Sequence, residues 1–249
     1  MAMAGATDRA TSGPGAVTVL APAKLTLTLR ITGVRPDGFH LIDAEMVTVD
    51  LADELVFSGG DGLEVVGATG LPVPAGEDNL VRRALRMVGR TAHVRLTKSI
   101  PAGAGLGGGS ADAAAVLRWA GVDDWSLAAR LGADVAFCVR GGRAQVTGIG
   151  EVLAPLPYED RSFTLLTPPF GCSTPAVYKA WDDLGGPAGE GDNDLEPAAL
   201  VVEPHLAAWR DRLGDATGVN PVLAGSGSTW FVPGAFPDAG TVVRTTGAS

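Results

Sequence analysis

The sequence predicts an α+β fold, and three observations lead to that prediction. The first quarter of the chain, after residue 16, is dominated by segments in which apolar and polar residues alternate, a pattern typical of β-strands. Later segments carry apolar residues at helical spacing, bounded by capping residues and glycines. With 249 residues, of which 46% are hydrophobic and 19% charged, the chain is long enough for one large domain or two small ones that share a cleft.

The first strand is predicted over residues 17–31. Beyond Pro22 its apolar and polar residues alternate, which predicts a half-buried strand with a polar face formed by Lys24, Thr26, Thr28 and Arg30. The sequence Pro-Asp-Gly at residues 36–38 favours a turn. Two further strands, joined by a short turn, are predicted at residues 44–51 and 53–57.

Helices are predicted where a capping residue precedes apolar residues at helical spacing. Asp78 is the predicted N-cap of a helix that ends at Gly89. Ser110 is the predicted N-cap of a helix that runs through alanines to Gly121, and Thr174 of a helix over residues 175–184. Shorter helices are predicted near residues 126–132 and 204–214, strands at residues 92–98, 135–139, 143–148 and 162–168, and a surface loop at residues 185–194.

Composition and charge exclude several classes of function. The chain has a formal net charge of −9 and no basic patch interleaved with aromatic residues, which argues against a nucleic acid as partner. No apolar run reaches the roughly 18 residues of a membrane helix, and the start has no signal core, so we predict a cytoplasmic protein with a flexible tail over residues 1–16 and no membrane partner. Cys138 and Cys172 are far apart and are predicted to be buried thiols rather than a disulfide or a zinc site.

The glycine-rich segment between residues 99 and 121 connects a predicted strand to a predicted helix. Glycines have no Cβ atom, so backbone N–H groups at such a helix N-terminus can close around phosphate oxygens. Gly103, Gly105 and Gly108 fit the spacing GxGxxG, but no acidic residue follows at the distance that a dinucleotide fold requires. Gly109 stands where a P-loop has its lysine. The segment therefore predicts a phosphate site of another kind, with a simple glycine turn as the alternative.

A longer motif in the same segment carries more information. The pattern P-x-x-x-G-L-G-[GS]-[GS]-S-x-x-A-A is matched by Pro101, Gly105, Leu106, Gly107, Gly108, Gly109, Ser110, Ala113 and Ala114. With this motif the chain resembles the GHMP kinase superfamily. Residues 21–40, 131–151 and 223–231 also resemble segments of the 4-diphosphocytidyl-2-C-methyl-D-erythritol kinase family, so the similarity extends collinearly over most of the chain.

The resemblance implies a two-lobed GHMP kinase fold. The N-terminal lobe would be ribosomal protein S5 domain 2-like and span residues 17–155, and a reduced ferredoxin-like C-terminal lobe would span residues 156–249. ATP and Mg²⁺ are the implied cofactors. Asp134 would accept the proton of the attacking hydroxyl and Lys24 would stabilise developing charge. The simpler alternatives are a turn cap for Asp134 and a solvated strand residue for Lys24.

The resemblance also implies which residues bind ATP. Around the phosphates these are Pro101, Gly103, Gly105, Leu106, Gly107, Gly108, Gly109 and Ser110. The Ser110 hydroxyl would lie near the magnesium ion, and Asn79 would lie near the adenine. Helix capping is the alternative role for both Ser110 and Asn79.

On the acceptor side, the resemblance implies that Phe39 and Tyr178 enclose a cytosine and that His40 reads its edge. Thr26, Gly225 and Ser226 would contact the acceptor or shape the cleft. Two residues depart from the family pattern, because Thr26 replaces an asparagine and Ala136 a proline. The loss of the asparagine amide predicts altered contact with the acceptor hydroxyls.

The resemblance implies a function, namely ATP-dependent phosphorylation of the 2-hydroxyl of 4-diphosphocytidyl-2-C-methyl-D-erythritol, a small cytidine diphosphate alcohol of the mevalonate-independent isoprenoid pathway. The alternatives are a kinase of the same fold that acts on homoserine or a sugar, and a nucleotide-binding pseudo-kinase. A monomer or a homodimer is expected.

Overall fold

The computed structural model describes residues 15–67, 71–122, 124–187 and 191–248. In these residues helices and sheets are both present, as the α+β prediction requires. Residues 1–14, which make up nearly all of the predicted tail, lie outside the described residues. No helix within the described ranges has both the length and the apolar character needed to cross a membrane.

A mixed sheet forms the first half of the described chain. Its strands are β1 (Val17–Val34), β2 (His40–Ser58), β3 (Gly62–Val66), β4 (His93–Thr97), β5 (Arg143–Gly148) and β6 (Val152–Pro155). The order is β3-β4-β2-β5-β6, and β1 pairs antiparallel with β2 over nearly its whole length. The prediction of two strands between residues 44 and 57 was wrong, because β2 passes through the expected turn without interruption.

Four helices of the described chain belong to this half of the fold. They are α1 (Leu80–Met87), α2 (Gly108–Trp119), α3 (Trp125–Ala129) and α4 (Ala133–Arg140). Two of them, α2 and α4, contact the sheet. Helix α2 lies against β1 and β2 and also contacts α1 and α4. Its alanines are fully buried, and their small side chains allow α2 to approach the sheet closely. Stacking of Phe57 on Trp119, with ring centroids 4.5 Å apart, closes one end of this contact.

Helix α4 occupies residues for which a strand was predicted. Residues 135–139 form a continuous apolar run, and such a run has no periodicity that separates a buried strand from a buried helix. All five side chains are buried, and α4 packs between α2 and α3. Packing against α2 and α3, rather than the local sequence pattern, therefore determines that these residues are helical.

Three predicted N-caps are displaced by one to three residues. The side chain of Asn79, rather than that of Asp78, caps α1 and accepts a hydrogen bond from Val81 N at 2.9 Å. Gly107 precedes α2, so Ser110 lies inside the helix instead of capping it. Helix α5 (Thr174–Asp183) begins one residue earlier than predicted, after Ser173.

A second sheet, with four strands in the described residues, follows along the chain. Strands β7 (Ser162–Leu166), β8 (Val222–Leu223), β9 (Trp230–Pro233) and β10 (Thr241–Arg244) are ordered β10-β7-β9-β8. Helices α5, α6 (Glu196–Val202) and α7 (Leu206–Thr217) accompany this sheet. The chain then returns to the first sheet, where Thr245 bridges to Val49 and Ala248 to Gly141. The division into lobes at residue 155 stays a prediction.

The two cysteines agree with the prediction from the sequence, whereas the loop at residues 185–194 agrees only in part. Cys138 and Cys172 are both buried free thiols, as predicted. The surface-loop prediction for residues 185–194 was wrong at its end, because Asn193 and Asp194 are buried and residues 192–194 pair with β1.

Candidate functional site

A cavity of about 1110 Å³ lies where the glycine segment, α4, α5 and the loop after β8 meet. Every residue that the sequence analysis assigned to the site lines this cavity. The structure therefore brings together, from the first sheet and from helices and loops as far apart in sequence as Lys24 and Ser226, what the motifs indicated separately. The role of each residue stays a prediction.

Glycine is required in the loop because the backbone of another segment passes against it. Gly105 has a φ of +76°, and a Cβ atom there would lie 2.1 Å from the carbonyl oxygen of Ala224. Gly107 has a φ of +70°, and a Cβ atom there would lie 2.7 Å from Lys24 Cγ. The loop is thus held between the segment after β8 and the side chain of Lys24.

The start of α2 faces the cavity with free backbone donors. The first hydrogen bond of the helix runs from Ala111 N to Gly107 O at 2.8 Å, which leaves the N–H groups of Gly108, Gly109 and Ser110 without a helical acceptor. All three residues line the cavity. Free N–H groups and the positive end of the helix dipole together favour a bound phosphate.

Lys24 and Asp134 lie next to each other in the cavity wall. Lys24 comes from β1 and Asp134 from the first turn of α4, and Lys24 Nζ lies 3.5 Å from Asp134 Oδ2. The lysine side chain is only 6% exposed, whereas the aspartate is 32% exposed and accessible to a ligand. Lys24 Nζ also donates to Thr26 Oγ1 at 3.0 Å. This places a buried positive charge directly behind a reachable carboxylate.

Part of the cavity wall is aromatic. His40 packs against Tyr178, with ring centroids 4.7 Å apart, and its Nε2 lies 2.8 Å from Asp182 Oδ1. Burial, together with the charge of Asp134, raises the pKa of the Tyr178 hydroxyl to about 12. Phe39 is 56% exposed and lies at the rim. These rings provide flat apolar surfaces of the kind on which a nucleobase stacks.

Comparison with known proteins agrees with the geometry. Residues 79–142 match the sequence model of the GHMP kinases N terminal domain. The 4-diphosphocytidyl-2-C-methyl-D-erythritol kinase of Paracoccus denitrificans is 39% identical over 231 residues, covering 85% of this chain and 84% of the relative. The enzyme of the same name from Pelotomaculum thermopropionicum is 39% identical, covering 86% of this chain and 88% of the relative.

The chain belongs to the 4-diphosphocytidyl-2-C-methyl-D-erythritol kinase family.

A crystal structure of a 4-(cytidine 5'-diphospho)-2C-methyl-D-erythritol kinase is also similar, with a TM-score of 0.73 and 32% identity over 94% of this chain and 100% of that chain. The homoserine kinase of Cytophaga hutchinsonii has a TM-score of 0.61 at 19% identity, which supports the fold alone. The predicted GHMP kinase fold and the assignment to the small-molecule kinases are therefore confirmed, and ATP is the nucleotide expected for the family.

The sequence analysis missed a buried charge cluster beneath the glycine loop. Lys98 Nζ donates to Asp112 Oδ2 at 2.8 Å and to Asp53 Oδ2, while Asp53 Oδ1 accepts hydrogen bonds from Ser99 N and Ile100 N. Burial raises the pKa of Asp112 to about 7, and Lys98 only partly opposes the rise. Burial lowers the pKa of Lys98, but Asp112 and Asp53 outweigh it, so the pKa is raised overall. Lys98 is one of only three lysines in the chain, and that rarity was the available signal.

The oxygen donors of the cavity bear on whether it can hold Mg²⁺. Among the described residues, no group of three or more His, Cys, Asp or Glu side chains could hold a metal ion by itself. Ser110 and Asp134 do line the same cavity as the free N–H groups of α2. A few hard oxygen donors next to a phosphate site suit a magnesium ion that keeps phosphate oxygens and water as its other ligands.

Proposed function

We propose that this chain transfers the γ-phosphoryl group of ATP to the 2-hydroxyl of 4-diphosphocytidyl-2-C-methyl-D-erythritol. The observation that carries the proposal is the Lys24 and Asp134 pair, which faces the same cavity as the free N–H groups of α2 in a chain of this kinase family. Phosphoryl transfer needs mainly positioning and charge stabilisation, and both are available here.

In the proposed reaction, Asp134 accepts the proton of the acceptor hydroxyl as the oxygen attacks the γ-phosphorus. A bond forms between that oxygen and phosphorus, the bond from phosphorus to the β,γ-bridging oxygen breaks, and ADP leaves with the bond's electron pair. Lys24, whose Nζ lies 3.5 Å from Asp134 Oδ2, compensates negative charge that develops during the transfer. When bound, Mg²⁺ would neutralise phosphate charge, with Ser110 as its protein contact.

The N–H groups of Gly108, Gly109 and Ser110 would hold the ATP phosphates, and Asn79 would lie near the adenine. On the acceptor side, Phe39, His40 and Tyr178 would bind the cytosine. Thr26 lacks the amide of the family motif, but its hydroxyl still accepts a hydrogen bond from Lys24 at 3.0 Å. We therefore expect the substitution to be compatible with activity. The cytoplasmic location and the monomeric or homodimeric state stay predictions.

The test is ADP release from the purified protein with Mg-ATP and one of four acceptors. These are 4-diphosphocytidyl-2-C-methyl-D-erythritol, homoserine, galactose and mevalonate, and a reaction without acceptor gives the background ATPase rate. Turnover with the cytidylyl compound alone is expected. Turnover with another acceptor, or ATP binding without any turnover, would contradict the proposal and favour the other small-alcohol kinase or the pseudo-kinase.

A further inference from the structure

A short segment, in which Asn193 and Asp194 are buried, joins the second half of the chain to the strand that carries Lys24. Leu29 N of β1 donates to Asp192 O at 2.8 Å, and Asp194 N donates to Leu29 O at 2.9 Å. The carboxylate of Asp194 binds Arg30 Nη1 and Ile31 N, both at 2.8 Å. Residues 192–194, called here the clasp, are therefore fixed to β1 on both sides of Asn193.

The side chain of Asn193 points away from β1 and into the loop after β8. Its Nδ2 donates to Leu223 O at 2.8 Å and to Gly225 O at 2.6 Å, and its Oδ1 accepts from Leu195 N at 2.9 Å. Asn193 is 1% exposed. Both amide hydrogens are used, so the orientation of the amide is determined and no other residue type of this size supplies two donors and an acceptor.

The loop that Asn193 holds is part of the cavity wall. A Cβ atom on Gly225 would lie 3.3 Å from Lys24 Nζ and 3.9 Å from Thr26 Oγ1, so the loop backbone packs directly on the charged end of Lys24. The hydroxyl of Ser226 continues the wall and lies 2.7 Å from Thr174 Oγ1 at the start of α5. A displacement of this loop would therefore reach the Lys24 and Asp134 pair.

We infer that Asn193 is a positioning residue of the reaction, which holds the Gly225 and Ser226 loop against Lys24 from the clasp. The inference rests on the proposed function, since it uses Lys24 as the group that the loop positions. Loops tolerate movement more readily than strands, and β8 is only two residues long. The Asn193 amide supplies what that short strand does not, namely hydrogen bonds to the carbonyl groups on both sides of Ala224.

The test compares two variants of the full chain. Asn193→Asp keeps the shape and the acceptor for Leu195 N but replaces both donors with an oxygen that faces two carbonyl groups. Arg30→Gln is the matched control, because it removes the ion pair to Asp194 at the solvent-facing side of the clasp and leaves Asn193 intact. For each protein, kcat, KM for ATP, KM for the cytidylyl acceptor and the thermal unfolding midpoint are measured.

We expect Asn193→Asp to lower kcat by at least about tenfold, because small displacements of reacting groups are costly, with a much smaller change in KM for ATP. Arg30→Gln should keep kcat within about threefold of the wild type. A merely structural role would lower the unfolding midpoint and leave kcat of the folded fraction unchanged, and that result would overturn the inference. So would equal losses of kcat in both variants.

If Asn193→Asp does not fold, Asn193→Ser, which shortens the side chain and keeps one donor, is judged by the same criteria. The two proposals fail in different ways. A wild-type protein that binds ATP but does not phosphorylate the cytidylyl acceptor refutes the proposed function and with it the inference. An active wild type with an equally active Asn193→Asp protein refutes the inference alone.

Discussion

Substitution of Gly105 by alanine gives a sharp test of how the glycine loop is held. The residue has a φ of +76°, which costs an alanine about 1–2 kcal/mol of stability. The new Cβ atom would lie 2.1 Å from Ala224 O and 2.8 Å from Gly227 O, whereas real Cβ contacts below 3.0 Å are essentially never found. Both neighbours are backbone atoms, so the glycine loop and the loop after β8 must separate by about 1 Å.

A misplacement of about 1 Å near reacting groups can lower a rate by about 100-fold. We therefore expect Gly105→Ala to lose about that much of kcat/KM in the ADP-release assay with the cytidylyl acceptor. Its free energy of unfolding, measured in urea, should fall by at least the roughly 1–2 kcal/mol that an alanine loses at positive φ. The separation of the two loops should lower it further.

Gly121 supplies the matched control. Its φ is also +76°, but a Cβ atom there would meet nothing within 4 Å. Gly121→Ala should therefore lose only the φ cost of about 1–2 kcal/mol and keep wild-type kinetics. If Gly105→Ala retains activity like that of Gly121→Ala, the close approach of the two loops does not constrain the site, and the reasoning is refuted.

Three further predictions concern single side chains. Asp134→Asn should lower kcat by about 100- to 10,000-fold with ATP affinity largely kept, as measured by single turnover and calorimetry; unchanged turnover would exclude Asp134 as the base. Phe39→Ala should weaken acceptor binding by about 1–3 kcal/mol if a base stacks there, and a change in ATP affinity alone would contradict this placement. Burial raises the pKa of Asp112 to about 7, against 3.8 for an ordinary aspartate. Between these two pH values the folded protein keeps a proton on Asp112 that the unfolded chain has lost. The free energy of unfolding should therefore fall as the pH rises from 3.8 to about 7. Urea titrations at several pH values should show this fall in the wild type and a flatter profile in Asp112→Asn; parallel profiles would argue against the assignment.

Local patterns predicted the elements that carry the site, but not all of the contacts between them. The alternation in β1 and the alanine run of α2 identified those elements, and glycine spacing indicated the phosphate loop. The alternation predicted a polar face on β1 but not the burial of Lys24 and Thr26, because the glycine loop packs on Lys24 and the loop after β8 packs on both side chains. An alternating pattern shows which residues share a face of a strand, but it does not show which distant segments pack on that face.

The parts that escaped prediction depend on distant partners. Asp53 and Lys98 are 45 residues apart in the sequence, and Asn193 and Leu223 are 30 residues apart. No local spacing therefore reveals either contact. Helix α4 was missed for a different reason, since a fully buried apolar run lacks the periodicity on which the assignment depends. For the site residues, resemblance to a family supplied the long-range information that composition and periodicity lack.

The return of residues 245–248 to the first sheet has a consequence for synthesis on the ribosome. Thr245 bridges to Val49, 196 positions earlier, and Thr246 N donates to Thr48 O at 2.9 Å. At translation speeds of about 5–20 residues per second, the later partner emerges roughly 10–40 s after the earlier one. Through that interval the nascent chain presents a strand edge at Thr48 and Val49 without its native partner. The first sheet therefore gains this last contact only after the strands of the second sheet have been synthesised.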